Sequence, residues 1–407
     1  MEVSQGTPPP LDIVYVGTLP PHPGGSAISC AELIARFANL GHAVRCLAPI
    51  TPEGLEPEDR FAVGHPELEV TRFVVPLFDT GLPIPTPPSY RELERVQIQD
   101  KLSRLVASRR PDIILIGRES FAWDVPALAR DFSIPSVMTV RGGARTAKLL
   151  SGDYPNALGL IEEYRKVSQI VAVAEHLTEG LRRLGLDNVR TISNAIDLSR
   201  FRPRPKERAL LQELCIDDED VVVMHVANLQ ARKRSMDLVR SAEMALREDP
   251  RLLYVVVGDG PLKQTMMDSC RELGVFERVR FTGWIEYHRV PDYVNVADLI
   301  VVPSESEGLA RIYLETQACA RVLLASDIPP AREVIVDGET GLLFERGSIG
   351  ELAAKTLLAA REPELRARIG ANALERIRGH SIEQAVAAYV SIIRQVTHSA
   401  APALEHE

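Results

Sequence analysis

The chain has 407 residues, of which 45% are hydrophobic and 25% are charged, a composition typical of soluble globular proteins. This length exceeds one ordinary hydrophobic core and predicts two or three domains. The formal net charge of −9 argues against a nucleic-acid-binding protein, and no nucleic-acid partner is expected.

The N-terminal half alternates short apolar runs with helical patterns. The runs DIVYVG (residues 12–17), AVRCLAP (43–49), DIILIG (112–117), SVMTV (136–140) and QIVAVA (169–174) predict buried strands, each followed by a helix. Such alternation predicts a parallel sheet with helices on both faces.

A basic, proline-containing stretch at 196–209 interrupts the alternation and is interpreted as a linker. A second series of strands follows, at 221–227, 252–258, 279–283, 298–303 and 321–326. The predicted domains are therefore 1–195, a Rossmann-like domain, and 210–380, a second one. A last helix at 381–398 is considered as a segment that returns to the first domain, and 399–407 as a disordered tail.

Two doubly wound α/β domains in tandem are the predicted architecture. Ligands of such sheets bind outside the carboxyl ends of the strands, so the cleft faced by both domains is the expected site.

The cysteines and the N-terminus indicate the compartment. The five cysteines are odd in number and form no C-x-x-C pair, which argues against a disulfide framework or a zinc site. The N-terminus lacks the basic and apolar regions of a signal peptide, and no apolar run reaches the roughly 18 residues of a membrane span. A cytoplasmic protein is expected.

The stretch SESEGLARIYLE (304–315) places two carboxylates eight residues apart where a strand gives way to a helical pattern. If Gly308 opens the helix, Glu307 stands at its N-terminus and Glu315 lies about 12 Å further along the axis. Glycosidase carboxylates are roughly 5–9.5 Å apart, so this spacing does not fit that role and is compatible with a long ligand held at both ends. The alternative is that Glu307 caps the helix and Glu315 is solvated.

A longer segment carries a family resemblance. PSESEGLARIYLETQACARVLLASDIPPAREVIVDGETGLLFERG (303–347) resembles the donor-site signature of the family-four retaining glycosyltransferases of the GT-B fold. Four further segments resemble family segments in the expected order: SNAIDLSRFRPRP, VVVGDGPLKQTM, GVFERVRFTGWI and VPDYVNVADLIVVPS. The resemblance covers 167–347 strongly and 13–49 more weakly.

The resemblance implies a nucleotide-sugar site in the second domain and an acceptor site in the first. Glu307 would hold a donor-sugar hydroxyl, Glu315 the ribose, and Lys233 of ANLQARKR the diphosphate. Glu307, Lys233 and Arg141 are the residues assigned to catalysis. The remaining donor-site residues are taken from the matching segments: Gly24, Gly25, Asn228, Gly283, Trp284, Ile285, Gly308, Leu309 and Ala310.

Several positions depart from the family pattern. Asn228 replaces an arginine, and either Arg232 or Arg234 is a candidate to supply the missing charge. Arg141 stands where many members have histidine, and it either contacts the donor or an anionic acceptor, or pairs with a structural carboxylate. Ala310, Arg311 and Ala320 also replace family residues. These departures bear on the choice of sugar and not on the fold.

The sequence therefore predicts a retaining glycosyltransferase of the hexosyltransferase type, with a nucleoside-diphosphate sugar, favoured as UDP-linked, as donor. The acceptor is expected to be a small molecule, a glycan or a lipid-linked hydroxyl compound. No cofactor beyond the co-substrate and no metal is expected. A basic amphipathic pattern at 91–110 is interpreted as a packed helix, with weak membrane contact as the alternative.

Two other functions stay open. One is another GT-B enzyme, a sugar-nucleotide epimerase or a phosphorylase, and the other is a non-catalytic sugar-nucleotide-binding protein.

Overall fold

The computed structural model describes residues 9–22, 24–52, 59–76 and 88–400. The chain divides into two compact units. The first contains Met1–Asn194 together with Ile382–Glu407, and the second contains Ala195–Ser381.

The first unit is built on a seven-stranded sheet of order β3-β2-β1-β4-β5-β6-β7, in which every pairing is parallel. Its strands are β1 (Asp12–Val16), β2 (Ala43–Ile50), β3 (Glu69–Val74), β4 (Ile113–Ile116), β5 (Ser136–Val140), β6 (Gln169–Ala172) and β7 (Val189–Thr191). All four side chains of β4 are fully buried. Because side chains alternate between the two faces of a strand, both faces of this sheet are covered.

The described residues of this unit form the helices α1 (Gly25–Asn39), α2 (Arg60–Gly64), α3 (Pro88–Ser108), α4 (Val125–Asp131), α5 (Ala144–Ser151), α6 (Ala157–Arg165), α7 (Glu175–Arg183) and, from the end of the chain, α16 (Ile382–Ala400). The spacing of apolar residues predicts one buried face with Cys30, Leu33, Ile34, Phe37 and Leu40. The first four are buried, whereas Leu40 follows the end of α1 and is 62% exposed.

Helix α16 packs on the first unit through an aromatic residue. The ring of Tyr389 lies 6.4 Å from that of Phe37 in α1, in an edge-on arrangement. The hydroxyl of Tyr389 is 3.0 Å from the hydroxyl of Thr139 in β5. The last helix of the chain thereby completes the first unit.

The second unit has a six-stranded sheet of order β10-β9-β8-β11-β12-β13, again with every pairing parallel. Its strands are β8 (Val221–Val226), β9 (Leu252–Val257), β10 (Val279–Gly283), β11 (Leu299–Val302), β12 (Val322–Ser326) and β13 (Leu342–Phe344). Its helices are α8 (Arg208–Glu213), α9 (Ser235–Glu248), α10 (Lys263–Glu272), α11 (Val290–Val296), α12 (Arg311–Ala318), α13 (Pro329–Val334), α14 (Ile349–Arg361) and α15 (Pro363–Ile377).

The predicted α/β class with two doubly wound, Rossmann-like domains is confirmed. The strand order reverses between β1 and β4 in the first sheet and between β8 and β11 in the second. Ligands of such sheets bind at this switch point.

Some boundaries differ from those predicted. Among the described residues, the structure adds edge strands that the apolar pattern did not mark, β3, β7 and β13. The stretch interpreted as a linker, 196–209, lies inside the second unit, and α8 begins within it at Arg208. Helix α16 continues to Ala400, and the rest of the predicted tail lies outside the described residues.

Candidate active site

The switch point of the second sheet brings two loops together. The loop after β8 contains a short 3-10 turn, Ala231–Lys233, and the loop after β11 leads through residues 303–310 to α12. The backbone N–H of Glu305 donates to the carbonyl of Arg232 at 2.8 Å and ties the two loops to each other. Side chains from both loops therefore share one edge of the sheet.

Glu307 lies in this edge with its carboxylate held by two cations. Its side chain is only 7% exposed. Lys233 Nζ donates to Oε1 at 2.5 Å, and Arg232 Nη1 donates to Oε2 at 3.2 Å. Burial by itself would raise the pKa of Glu307, but the charges of Lys233 and then Arg232 lower it to about 2. The carboxylate is therefore ionised at neutral pH.

The start of the helix differs from the sequence prediction. Helix α12 begins at Arg311 with Ala310 as its N-cap, three residues later than predicted. Glu307 is consequently not a helix cap, and a separation of about 12 Å along one continuous helix does not apply. Leu309 and Ala310 are 4% and 9% exposed but precede the helix. Their burial extends the apolar pattern without extending the helix, and this is why the pattern misplaced the boundary.

Glu315 is buried on α12, not solvated. Arg311 Nε lies 3.3 Å from Glu315 Oε1, one helical turn away, and both side chains are less than a tenth exposed. The hydroxyl of Tyr287 donates to the same oxygen at 3.4 Å, and Arg311 donates to the hydroxyl of Tyr287. The carboxylate is thus fixed by a buried cation and a phenol.

The remaining residues of the second unit that were predicted to bind the donor lie at neighbouring strand ends. Asn228 follows β8, and the backbone N–H of Leu229 donates to the carbonyl of Asp259 at 2.9 Å. The N–H of Gly258, just after β9, donates to the carbonyl of Gly283 at 2.8 Å. The loop that follows carries Trp284, which is 65% exposed, and the half-buried Ile285.

In the first unit, Gly24 and Gly25 stand at the beginning of α1. Gly24 is the N-cap residue, with φ of 100°, a conformation that favours glycine. The first turn of this helix has no acidic side chain. The residue before them, Pro23, lies outside the described residues.

Arg141 follows β5 and makes hydrogen bonds to neutral oxygens. Its Nε donates to the carbonyl of Gly117 at 3.0 Å, and its Nη1 donates to Asn194 Oδ1 at 3.3 Å. The neighbouring carboxylate, Glu119, accepts instead from the backbone N–H groups of Arg141 and Gly143, each at 3.0 Å. The sequence left open whether Arg141 contacts a ligand or pairs with a structural carboxylate. Within the described ranges, its side chain forms no ion pair with a carboxylate.

Glu119 itself is 2% exposed. Burial would raise its pKa, but the charge of Arg118 and the two backbone donors outweigh that effect and lower it. This carboxylate therefore acts as an ionised anchor for the loop that carries Arg141.

The structure adds Tyr287 to the site. This residue was not selected from the sequence, although an aromatic residue four positions after Gly283 in the segment GWIEYHRV is a usable signal. Its ring is flanked by the guanidinium carbons of Arg200 and Arg311, at 5.3 and 5.2 Å from its centroid. It thereby links the Gly283 loop to Glu315.

The part of the chain that the structure describes contains neither a metal-ligand cluster nor a helix that could span a membrane. There, no group of three or more His, Cys, Asp or Glu side chains is arranged to hold a metal ion. Within the same residues, no helix has the length and apolar character needed to cross a membrane.

Two family models match the chain, one for each half. Residues 23–200 match Glycosyltransferase Family 4, and residues 207–376 match Glycosyl transferases group 1. Together they account for most of the chain.

Named relatives and a solved structure agree with these matches. The chain is 27% identical over 389 residues to D-inositol 3-phosphate glycosyltransferase 2 of Catenulispora acidiphila, covering 86% of this chain and 85% of that protein. It is 27% identical over 295 residues to the lipopolysaccharide core biosynthesis glycosyltransferase LpsD of Rhizobium meliloti, covering 72% and 78%.

The fold is similar to that of Anabaena Alr3699/HepE, solved in complex with UDP, with a TM-score of 0.76, 16% identity, and coverage of 95% of this chain and 100% of that one. The two family matches, the two Rossmann-like units and these relatives show that the chain belongs to the GT-B glycosyltransferases, with a family-four first half and a group 1 second half.

Proposed function

We propose that the protein is a retaining hexosyltransferase that moves a sugar from a nucleoside-diphosphate sugar to a hydroxyl acceptor. The observation that carries the proposal is the buried, ionised Glu307 held between Lys233 and Arg232 at the switch point of the second sheet. A carboxylate with adjacent cations there offers an acceptor for sugar hydroxyls beside donors for phosphate oxygens.

Each chemical group of the nucleotide-sugar donor is assigned to a residue of the protein. Lys233 binds the diphosphate, Glu307 accepts from a sugar hydroxyl, and Glu315 accepts from the ribose hydroxyls. The backbone of Gly308, Leu309 and Ala310, which lies between the two glutamates, contributes N–H donors to the sugar or phosphate. Asn228 and the segment Gly283, Trp284 and Ile285 border the nucleotide.

UDP is proposed as the nucleotide. The support is the similarity of fold to Anabaena Alr3699/HepE, which was solved in complex with UDP and with UDP-glucose. No cofactor and no metal is proposed, because Lys233 and its neighbouring cation supply positive charge for the leaving diphosphate.

Retention of configuration is proposed to proceed without a covalent enzyme intermediate. The acceptor oxygen attacks the anomeric carbon from the face that the diphosphate leaves. The bond from the anomeric carbon to the phosphate oxygen breaks, and that oxygen takes the proton of the acceptor. The protein contributes orientation and stabilisation of charge.

The first unit is proposed to bind the acceptor. Arg141, at the end of β5, provides a cation, which suits an anionic acceptor. Gly24 and Gly25, at the start of α1, remain assigned to the nucleotide sugar, whose phosphates suit helix N–H groups. The named relatives act in inositol-phosphate and lipopolysaccharide-core chemistry, and both names are compatible with an anionic acceptor. A cytoplasmic location is proposed with this role.

The experiment begins with a thermal-shift screen of UDP, GDP, ADP and their sugars, since a ligand that binds the folded state raises its stability. The best sugar nucleotide is then incubated with the protein, and the released or transferred sugar is followed by proton NMR before mutarotation. An α-configured product from an α-configured donor is expected.

Other outcomes separate the alternatives. An isomerised sugar or sugar nucleotide would indicate an epimerase, and turnover only with inorganic phosphate would indicate a phosphorylase. Binding of a sugar nucleotide without turnover across an acceptor panel would favour a non-catalytic binding protein. A β-configured product would contradict retention.

Lys233→Ala tests the assignment of the diphosphate. A charge-assisted hydrogen bond contributes about 1.5–3 kcal/mol, so the affinity for UDP is expected to fall roughly ten- to hundredfold in titration calorimetry. Lys206→Ala is the control, because Lys206 pairs with Asp298 before the start of β11, at the opposite end of that strand, and is 33% exposed. Equal UDP affinity in Lys233→Ala and the parent chain would contradict the role of Lys233.

A further inference from the structure

The turn after β8 presents three consecutive cations, Arg232, Lys233 and Arg234, beside an asparagine at position 228. The sequence alone does not decide which arginine supplies a second charge next to Lys233. The assignment of this second charge to the diphosphate subsite rests on the proposed function.

Arg234 is committed to other carboxylates. Its Nε donates to Asp237 at 2.6 Å and its Nη1 to Glu305 at 3.0 Å. Glu305 is also 3.2 Å from Arg346. These contacts hold Arg234 in a separate ion-pair network that does not include Glu307.

Arg232, in contrast, shares Glu307 with Lys233. Only Nη1 of Arg232 is engaged, by Glu307 Oε2 and by the carbonyl of Ser306. Its Nε and Nη2 have no hydrogen-bond partner among the described residues, and its side chain is 34% exposed. Two nitrogens of a planar guanidinium are thus available to an incoming anion while Nη1 stays with Glu307.

The charges around Glu307 do not cancel. One carboxylate faces two cations, and the nearby buried imidazole of His225 adds no charge, because burial lowers its pKa to about 4. The surplus positive charge lies next to the residues that precede α12. A ligand with at least two negative charges, such as a diphosphate, matches this arrangement better than a neutral or singly charged one.

We propose that Arg232 binds the diphosphate of the donor together with Lys233 and supplies the guanidinium that position 228 lacks. A guanidinium binds phosphate oxygens in a bidentate manner, whereas the amide of Asn228 brings no charge. The guanidinium of Arg232 then compensates for the uncharged amide at position 228, four residues earlier in the same loop.

The test measures UDP affinity by titration calorimetry in the full chain and in Arg232→Ala, Arg232→Lys and Arg234→Gly. Arg234→Gly is the matched control, because it removes the same charge from the adjacent residue. Arg234 has φ of 49°, a conformation that glycine adopts readily. Melting temperatures are recorded for all variants, and uridine binding is followed by saturation-transfer NMR.

Arg232→Ala is expected to weaken UDP binding about tenfold or more. Arg232→Lys is expected to weaken it less, because the charge remains but the bidentate contact is lost, and Arg234→Gly is expected to resemble the parent chain. Uridine, which has no phosphate, is expected to bind Arg232→Ala and the parent chain equally.

Three results would overturn the proposal while leaving the proposed function in place: unchanged UDP affinity in Arg232→Ala, equal losses in Arg232→Ala and Arg234→Gly, or a parallel loss for uridine. Failure of the parent chain to bind UDP, GDP or ADP would instead overturn the proposed function, and the role of Arg232 with it.

Discussion

At the scale of single residues, Glu307 and Glu315 are both buried carboxylates with cationic partners, but their partners differ. Glu307 faces Lys233 and Arg232, which belong to a loop, whereas Glu315 faces Arg311 on its own helix. Substituting Glu307 therefore alters the proposed ligand site alone. Substituting Glu315 also removes a buried ion pair within α12.

Glu307→Gln is expected to leave the affinity for UDP equal or somewhat higher, because neutralising the carboxylate releases Lys233 and Arg232 for phosphate. Transfer from the sugar nucleotide is expected to fall on the order of a hundredfold, since the sugar loses its orienting contact. Calorimetry with UDP and initial transfer rates measure the two effects.

Glu305→Gln is the control for that experiment, since Glu305 is a neighbouring carboxylate with two arginine partners and is 44% exposed. It is expected to leave the transfer rate unchanged. Equal loss of UDP and sugar-nucleotide binding in Glu307→Gln would contradict a contact between Glu307 and the sugar.

Glu315→Gln is expected to weaken UDP and the sugar nucleotide alike, because both contain the ribose. It also leaves the buried guanidinium of Arg311 without its counter-charge, so the free energy of unfolding is expected to fall by about 1–3 kcal/mol. Unchanged UDP affinity at a reduced stability would show that Glu315 has only a structural role.

At the scale of elements, the turn after β9 must approach the loop that carries Asn228. A Cβ added at Gly258, which has φ of 127°, would lie 2.0 Å from the carbonyl oxygen of Ala227. The absence of a side chain at Gly258 is therefore a condition for the two loops to lie side by side.

Gly258→Ala is expected to lower the free energy of unfolding by more than about 3 kcal/mol, from backbone strain and overlap with Ala227 together. Gly274→Ala measures the cost of backbone strain without steric overlap, because Gly274 also has a positive φ but no atom lies within 4 Å of the added Cβ. About 1 kcal/mol is expected there. Similar losses in urea denaturation of the two variants would contradict the close approach.

His225 in β8 makes the stability of the second unit depend on pH. Its Nδ1 lies 2.9 Å from the carbonyl oxygen of Val301, and its Nε2 lies 3.0 Å from the hydroxyl of Ser235. Burial, and then the charge of Lys233, lower its pKa to about 4, while the carbonyl of Val301 and the charge of Glu307 act in the opposite direction. The unfolded chain, with an ordinary histidine pKa near 6.5, binds the proton more readily.

The stabilising contribution of neutral His225 is therefore complete above about pH 6.5 and is lost as the pH falls towards 4, by about 2–3 kcal/mol. Urea denaturation between pH 7 and 4.5 is expected to show a shallower decline for His225→Gln than for the parent chain. All other ionisable residues are the same in both proteins, so the difference isolates His225. Parallel curves would contradict a neutral, buried imidazole.

At the scale of the whole molecule, the two units differ in how the chain builds them. The second unit is continuous, from Ala195 to Ser381, whereas the first requires α16 from the end of the chain. The side chains of Val386, Tyr389 and Ile393 on this helix are at most 4% exposed. Each such burial stabilises the fold by roughly 1.5–3 kcal/mol.

A fragment of residues 195–381 is accordingly expected to unfold cooperatively on its own, whereas residues 1–194 are expected to be unstable until a peptide of residues 382–400 is added. Circular dichroism melting curves of the fragments, with and without the peptide, measure this. A peptide carrying Tyr389→Ala and Ile393→Ala is the control. Equal stability of 1–194 with and without the native peptide would contradict the role of α16.

Much of the fold could be predicted from the sequence because buried parallel strands are continuous apolar runs. Runs such as DIILIG and DLIVVP marked β4 and β11 without any knowledge of tertiary structure. The three missed strands, β3, β7 and β13, are short or partly exposed edge positions, where the apolar signal is weak.

The sequence by itself determined the two doubly wound domains, the family signature and the identity of most candidate site residues, since these depend on local patterns and residue types. Only the tertiary structure decided where α12 begins, at Arg311. It also decided that Glu307 faces Lys233 and Arg232, whereas Arg234 faces Asp237 and Glu305. Finally, it showed that Glu315 is buried against Arg311 and Tyr287. The contacts of Glu307 with the turn after β8, of Arg234 with Glu305 and of Tyr287 with Glu315 join segments that are distant in sequence. They are set by strand order and side-chain packing, neither of which local periodicity encodes.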